Sequence, residues 1–261
     1  MIVQRTETHI IKESHPIYNW VVDECSRSKS LFNKALYIYR QAFTEKHENI
    51  SDYVSIVNNK KFISSYNLIT KMRELKDEDY FAMTKNHSAS QVIIQVDKTM
   101  KSWFAALKSY KKDPSKFRGR PRIPSYKKKD ELNCLTYTNI DARLQKDGTI
   151  NLRRDIKLPI HTNLKSFQQI RLIPKVGFIQ VEIIYNKEIN ENHLDQTRAI
   201  GIDLGLNNLM AITSNIGNVS NLVNGRPLKS INQYYNKRKA HLMCLLEKGK
   251  LKSSTIRLLV L

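Results

Sequence analysis

The residues best suited to chemistry lie in one short apolar stretch, residues 199–209, which contains a single carboxylate, Asp203. The apolar run before Asp203 predicts a strand, and Gly201 and Gly205 leave little side-chain bulk beside the carboxylate. A carboxylate at a strand end with open space around it can hold a metal ion against a phosphate. We therefore predict Asp203 as a catalytic residue and metal ligand. The alternative is a strand that ends in an Asx-type turn without chemistry.

The overall charge of the chain points to a polyanionic partner. The 261 residues include 44 Lys and Arg against 24 Asp and Glu, which gives a net charge of +20. Nucleic acid is the leading partner for such an excess, although a membrane surface also attracts it. No apolar run approaches the roughly 18 residues that span a membrane, and residues 1–12 lack the apolar core of a signal peptide. We expect a cytoplasmic protein with no membrane partner.

The positive charge is concentrated in residues 98–129, where twelve Lys and Arg accompany one acid, Asp113. Gly119 and Pro121 disfavour a helix there, and aromatic residues alternate with the cations. Cationic side chains can follow a phosphate backbone while Phe and Tyr rings stack on unpaired bases. The alternative is a solvated basic linker. The residues that we predict to bind nucleic acid are Lys111, Lys112, Lys116, Phe117, Arg118, Arg120, Arg122, Tyr126, Lys127, Lys128 and Lys129.

Hydrophobic periodicity predicts helices followed by strands, and therefore an α+β fold. Apolar residues at steps of three and four predict helices over residues 17–39, 62–72 and 88–110, the last with a capping box formed by Ser88 and Gln91. Short β-type runs then predict a small antiparallel sheet or barrel. The predicted strands cover residues 132–138, 149–152, 169–173, 178–185, 198–204 and 209–214, and residues 2–11 predict a further strand before the helices.

Cysteine and histidine spacing gives little sign of a metal site. Cys25, Cys134 and Cys244 are each more than 100 residues apart and form no C-x-x-C pair. The seven histidines are scattered, without an H-x-x-x-H pair. We predict no zinc site in this chain and three reduced thiols in or near cores.

The order of these features resembles a known family. A helical region, the basic K-F-R-G-R-P-R-I-P-S-Y sequence at residues 116–126, a small sheet and G-I-D-L-G-L-N-N-L at residues 201–209 follow one another along the chain. This order is similar to that of the TnpB (OrfB) proteins of insertion sequences, which are relatives of type V CRISPR effectors. The sequences N-K-A-L at residues 33–36 and G-R-P-L-K at residues 225–229 also resemble the pattern of this family.

The resemblance implies a division into four parts. Residues 1–12 correspond to the first strand of a wedge sheet, and residues 13–110 to a helical recognition bundle. Residues 111–196 correspond to the basic segment and the wedge β domain. Residues 197–261 correspond to the N-terminal part of an RNase H-like (RuvC) nuclease domain. The implied fold class is α+β, with the bundle and the small sheet followed by an incomplete start of the nuclease domain.

The resemblance also implies an activity and its partners. Members of the family are RNA-guided DNA endonucleases, called transposases in older descriptions, that use a transposon-derived guide RNA and Mg²⁺. In the family three carboxylates bind two magnesium ions. Asp203 matches the first, whereas the second, a Glu, and the third, an Asp, have no counterpart here, and neither has the four-cysteine zinc ribbon. After Asp203 the only acidic residue is Glu247. We therefore expect a C-terminally truncated chain that is catalytically incomplete.

Two other functions remain open. The first is a non-catalytic fragment that binds DNA or RNA and has no nuclease role. The second is an ATPase, because sugar kinases and actin-like proteins open their phosphate site with a similar D-x-G sequence. Those proteins normally place it at the start of a domain with Thr or Ser close behind, whereas Asp203 lies far along the chain and Leu-Asn-Asn follows Gly205.

Overall fold

The structure is a computed structural model that describes residues 1–58, 62–153, 156–189, 195, 197–217 and 220–247. The chain divides into two compact units, the first formed by residues 2–188 and the second by residues 189–261 together with Met1. Helices and antiparallel sheets both occur in it, so the predicted α+β class is confirmed. Within the described ranges, no helix is long and apolar enough to cross a membrane.

The described residues of the first unit contain four α-helices. They are α1 (Ile17–Phe43), α2 (Ser65–Glu74), α3 (Glu78–Phe81) and α4 (Asn86–Lys112). A 3-10 segment, His47–Ile56, connects α1 to the residues before α2. The two long helices contact each other, and each buries one apolar stripe, as the periodicity predicts.

The predicted capping box at Ser88 is wrong. Helix α4 begins two residues earlier, at Asn86, and its N-cap residue Lys85 makes no side-chain capping bond. Ser88 is buried inside the helix, and its hydroxyl donates to Asp141 Oδ2 at 3.2 Å. The Ser88 hydroxyl therefore bonds to Asp141, which is distant in sequence, and does not cap the start of α4 as the local pattern predicts.

The part of the first unit that the structure describes also contains seven strands: β1 (Ile2–Lys12), β2 (Leu135–Thr138), β3 (Arg143–Leu144), β4 (Thr149–Asn151), β5 (Lys157–His161), β6 (Gln169–Lys175) and β7 (Phe178–Glu188). One antiparallel sheet has the order β1-β7-β6-β2, and a second has the order β3-β4-β5. Strands β3 and β5 were not predicted. Strand β3 has only two residues, and β5 contains a proline, which weakens a strand pattern.

A single apolar core runs from the helices into the sheets of the first unit. Val21 and Leu36 of α1, Ile93 of α4 and Val181 of β7 are all 3% exposed or less. Helix α4 contacts β2, and α1 contacts β2, β6 and β7. The helical part and the sheet part of residues 2–188 therefore share one core.

The second unit contains three strands and one helix in its described residues. Strands β8 (Ile200–Leu204), β9 (Asn208–Ser214) and β10 (Asn221–Asn224) form an antiparallel sheet in the order β10-β9-β8. Helix α5 follows at Arg226–Glu247. Strand β10 was not predicted because its four residues carry an asparagine at each end.

The three thiols lie in different environments. Cys25 is buried in α1 and Cys134 is half-buried just before β2, as predicted. Cys244 is exposed on α5, so the prediction that it lies in or near a core is wrong.

Candidate nucleic-acid interface and the Asp203 strand

The basic segment, defined here as residues 111–129, leaves α4 and continues without further regular structure. It begins with the last two residues of α4, turns through a short 3-10 segment at Pro114–Lys116, and then contains neither helix nor strand. Phe117 and Lys127 are half-buried. The other predicted nucleic-acid-binding residues are exposed: Lys111, Lys112, Lys116, Arg118, Arg120, Arg122, Tyr126, Lys128 and Lys129.

The turn that begins the segment is held by Asp113. Its Oδ1 accepts a hydrogen bond from the backbone N–H of Ser115 at 3.1 Å, and the Ser115 hydroxyl also donates to this oxygen. The Lys116 ammonium lies 3.4 Å from Asp113 Oδ2. The Ser115 hydroxyl, together with Lys116 and the Ser115 N–H, lowers the pKa of the Asp113 carboxyl. An ionised carboxylate therefore closes the turn at the end of α4.

Aromatic residues of α4 contact the next part of the segment. The Phe117 ring makes an edge contact with the Tyr110 ring at 5.7 Å between centroids. The indole N–H of Trp103 donates to the carbonyl oxygen of Pro121 at 3.3 Å. Phe117, which we predicted to stack on bases, thus has an intramolecular ring partner, and its role in base stacking stays a prediction.

Helix α1 holds the last part of the segment through backbone hydrogen bonds. The side-chain amide of Asn33 accepts from the Lys127 N–H at 2.8 Å and donates to the Lys127 carbonyl oxygen at 2.9 Å. The Lys29 ammonium donates to the Lys129 carbonyl oxygen at 2.9 Å. These hydrogen bonds therefore attach the segment to the helix by its main chain and use none of its side chains.

Two cations near this attachment lie over aromatic rings. The Arg40 guanidinium is 4.7 Å from the ring centroid of Tyr126, and the Lys127 ammonium is 5.2 Å from that of Phe32. Cation–π contacts hold a cation in place without neutralising its charge. In the described part of the chain, no carboxylate pairs with Arg118, Arg120 or Arg122 in a salt bridge. The arrangement presents fixed, uncompensated positive charge at the surface, which suits a phosphate backbone.

The neighbouring Lys34 has a different role. Its ammonium lies 2.8 Å from Asp77 Oδ2 and 3.3 Å from Asp79 Oδ2. Burial by itself lowers the pKa of the Lys34 ammonium, but the hydrogen bonds and charges of Asp77 and Asp79 outweigh burial and raise it overall. Asp77 also caps α3 by accepting from the Tyr80 N–H. Lys34 therefore ties α1 to the start of α3.

Asp203 lies near the end of β8, at the edge of the three-stranded sheet. It is paired across the sheet with Ala211, and Gly201 is paired with Thr213. Asp203 is exposed, and it lines an open hollow of about 470 Å³ together with these residues and Leu222 of β10. The predicted open space beside the carboxylate is present, because its neighbours on this face are Gly201 and Ala211.

Gly205 has a different role from the one we predicted. A Cβ at this position would lie 2.9 Å from the carbonyl oxygen of Asn208, so the turn from β8 to β9 requires glycine. The backbone oxygen of Asn207 in this turn accepts from the Gly225 N–H at 3.0 Å, and its Oδ1 accepts from the Lys229 ammonium at 3.1 Å. The G-L-N-N-L sequence therefore holds the β8–β9 turn to the start of α5.

Asp203 contributes only one ligand to the predicted magnesium site. Among the residues described, no group of three or more His, Cys, Asp or Glu side chains could hold a metal ion. Mg²⁺ requires six oxygen ligands, and several carboxylates bind the two ions of a two-metal centre. The described donor set therefore does not fit a two-metal centre by itself.

Sequence reasoning missed the residues that hold the basic segment. Asn33 belongs to the family-like N-K-A-L sequence, but the partner of its amide, Lys127, is 94 residues away in sequence, so the local pattern could not predict the contact. Lys29, Arg40 and Trp103 were assigned to no site, and Trp103 was predicted only as part of the apolar stripe of α4. The one local signal is an asparagine inside a long helix, a position for which its helix propensity is low.

Comparisons with known proteins bear on the second unit most directly. Residues 179–259 match the family OrfB_IS605, described as a probable transposase. Over those residues the resemblance inferred from the motifs is confirmed. No curated protein sequence matches the chain.

Two solved structures are similar to the chain at low identity. One is a Cas12f1–sgRNA–target DNA complex, with 15% identity and a TM-score of 0.26, covering 94% of this chain. The other is a CRISPR-Cas12f ternary complex, with 16% identity and a TM-score of 0.24, covering 91% of this chain. This chain spans 63% and 55% of the lengths of those two proteins.

Proposed function

We propose that this chain is a nucleic-acid-binding protein of the TnpB (OrfB) type, in the lineage of RNA-guided DNA endonucleases that older descriptions call transposases. Its proposed partners are DNA and a transposon-derived guide RNA. Three observations support the proposal: the family match over residues 179–259, the order of the motifs along the chain, and the net charge of +20. A polycation of this size gains affinity for nucleic acid because each phosphate contact releases counterions.

The geometry of the basic segment carries the proposal. Arg118, Arg120 and Arg122 are exposed, while the segment that carries them is held to α4 at Phe117 and Pro121 and to α1 at Lys127. A solvated linker needs no such attachment. Because guanidinium groups bind phosphate oxygens in a bidentate manner, a fixed row of them is suited to one strand of nucleic acid.

For Asp203 we propose the role of the first carboxylate of a magnesium site. Asp203 would bind such an ion through its carboxylate only together with further oxygen ligands, and the ion would then supply a Lewis acid. One carboxylate is too few to hold the two ions of such a centre. We therefore propose that the polypeptide of residues 1–261, tested alone, binds nucleic acid without cutting it.

The test of binding replaces Lys116, Arg118, Arg120 and Arg122 together by glutamine. Affinity for a structured RNA and for duplex DNA is measured at several salt concentrations. The logarithm of the binding constant falls with the logarithm of the salt concentration, with a slope of about 0.7 to 0.9 for each phosphate neutralised. If all four side chains contact phosphates, the slope decreases by about 3.

A control variant separates contact from net charge. Arg5, Lys12, Lys157 and Lys175 are exposed cations elsewhere in the first unit, and their replacement by glutamine changes the net charge by the same amount. The control is expected to retain most of the slope. Equal loss of slope in the two variants contradicts a specific interface and returns the basic segment to the role of a solvated linker.

A further inference from the structure

The partners of residues 117–133 along the two long helices follow a regular order. On α4 the contact moves from Tyr110, which meets Phe117, to Trp103, which meets Pro121. The contacts on α1 then move from Arg40 through Asn33 and Lys29 to Cys25, as their partners advance from Tyr126 through Lys127 and Lys129 to Asn133. On both helices the residue number of the contacting helix residue falls as the residue number of its partner in the stretch rises. This stretch therefore runs antiparallel to α4 and then to α1.

Asn33 makes the most specific of these contacts. Its amide satisfies both main-chain groups of Lys127, at 2.8 Å and 2.9 Å, as the facing residue in a β-ladder does. One hydrogen bond allows the peptide to pivot, whereas two bonds from one planar amide fix its direction as well as its position. Asn33 lies near the middle of α1, whose neighbouring side chains Phe32 and Leu36 are buried. The amide is therefore held by a rigid support.

The groups of α1 and α4 that hold the segment add no negative charge to it. They are an amide, the aromatic rings of Phe32 and Trp103, and the cations Arg40 and Lys29. A carboxylate from outside the two helices, Glu131, accepts from the Lys128 N–H at 3.0 Å. A carboxylate in the place of Asn33 could also bind the Lys127 N–H, but it would cancel one positive charge and repel the Lys127 carbonyl oxygen. Asparagine provides the attachment without that loss.

We propose that Asn33 is the positioning residue of the nucleic-acid interface, and that its amide fixes the register of the basic segment on α1 so that the exposed cations meet successive phosphates. The proposal rests on the proposed nucleic-acid-binding function. If only the docked segment binds nucleic acid, the observed affinity is the affinity of the docked form multiplied by the fraction of molecules in which the segment is docked. Loss of the two hydrogen bonds is expected to lower affinity about tenfold without any change in net charge.

The test compares Asn33→Ala with Asn19→Ala in the full chain. Asn19 is an exposed residue of the same helix, so the control makes the same substitution away from the basic segment. Hydrogen exchange followed by mass spectrometry reports on docking, because the Lys127 N–H that bonds to Asn33 Oδ1 lies in this segment. Asn33→Ala is expected to accelerate exchange around Lys127 and to weaken binding of a structured RNA about tenfold, and Asn19→Ala to change neither.

A second pair of variants separates positioning from a general effect on the fold. Asn33→Ala is combined with the glutamine replacements of Lys116, Arg118, Arg120 and Arg122. If Asn33 acts through these cations, its replacement has little further effect on affinity in that background. A further tenfold loss there, or faster exchange with unchanged RNA affinity in the single variant, overturns the proposal. Failure of the wild-type chain to bind RNA or DNA refutes the proposed function instead, while hydrogen exchange still reports whether Asn33 docks the segment.

Discussion

The two units support their candidate residues in different ways. In the first unit, the basic segment is attached to helices whose inner faces are almost completely buried, as for Leu36 of α1 and Ile93 of α4. In the second unit, Asp203 lies on an edge strand whose residues are all exposed. Ile202 is 59% exposed and Leu222, on the opposite face of the sheet, is 66% exposed. The proposed binding surface thus lies on well-packed helices, whereas the carboxylate is positioned by local turns and strand pairing.

This difference has an energetic meaning. A large aliphatic side chain contributes roughly 1.5 to 3 kcal/mol when it is fully buried, and an exposed one forgoes most of that. The sheet that carries Asp203 leaves such side chains exposed on both faces in the described residues, including Ile200 and Leu204. We therefore expect the second unit to open more readily than the first, on which the proposed binding surface depends.

The largest expected difference concerns the reactivity of two thiols. Burial, with smaller contributions from Cys134 and Glu24, raises the pKa of the Cys25 thiol, so it holds little of the reactive thiolate. Alkylation of Cys25 also requires opening of the first unit, which costs on the order of 5 kcal/mol or more. Cys244 is exposed on α5. We expect iodoacetamide to modify Cys244 at least about a thousandfold faster than Cys25, measured by mass spectrometry of peptides over time.

Denaturant provides the control for this comparison. In concentrated guanidinium chloride the structural protection is removed, and the three thiols are expected to react at similar rates. If Cys25 in the native protein reacts within tenfold of Cys244, then the core around α1 opens far more readily than its burial indicates, and the contrast between the units is wrong.

The sequence predicted the long elements better than the short ones. Helices α1 and α4 are long, and their apolar stripes repeat through several turns, so periodicity alone was sufficient to find them. Strand β10 has only four residues, two of them asparagine, and its pairing with β9 supplies what the local pattern lacks. The position of Ser88 was misread because its partner Asp141 is 53 residues away. Long-range partners are invisible to a local pattern.

The same limit applies to the candidate functional residues. The cations of the basic segment and Asp203 could be selected as candidates from residue type and spacing, because charge and glycine content are local properties. The attachment of Lys127 to Asn33 could not be identified, since it depends on two residues 94 positions apart. The role of Gly205 in the turn was also missed. Only the backbone contact with Asn208 shows that the turn requires this glycine.

A matched pair of core substitutions gives a smaller effect. Ile93 is fully buried in α4, whereas Ile202 is 59% exposed in β8. Ile93→Ala is expected to lower the free energy of unfolding of the first unit by about 2 to 5 kcal/mol, because it leaves a cavity in a shared core. Ile202→Ala is expected to change it by no more than about 0.5 kcal/mol. Both tryptophans, Trp20 and Trp103, lie in residues 2–188, so tryptophan fluorescence during denaturation reports on the first unit alone.

Circular dichroism, which detects both units, complements the fluorescence measurement. For Ile202→Ala any change should appear in circular dichroism without a shift in the fluorescence midpoint. A shift in fluorescence comparable to that of Ile93→Ala means that the stability of the first unit depends on β8, which contradicts the description of two separately supported regions.

The smallest expected effect belongs to Asp203. Asp203→Asn keeps the shape of the side chain and removes its charge at an exposed position of β8, so the free energy of unfolding is expected to change by less than about 0.5 kcal/mol. The salt dependence of RNA binding should also stay the same, because the cations proposed to set it lie in the basic segment.

Incubated with Mg²⁺, a guide RNA and matching target DNA, neither wild type nor Asp203→Asn is expected to cut above background, since one carboxylate cannot hold two metal ions. Cleavage by the wild type that Asp203→Asn abolishes shows instead that further ligands, such as Glu247 or a second chain, complete the site. In that case Asp203 is a catalytic residue despite its exposed position, and the two regions differ in chemical role, cleavage against binding, more than in how firmly the fold supports them.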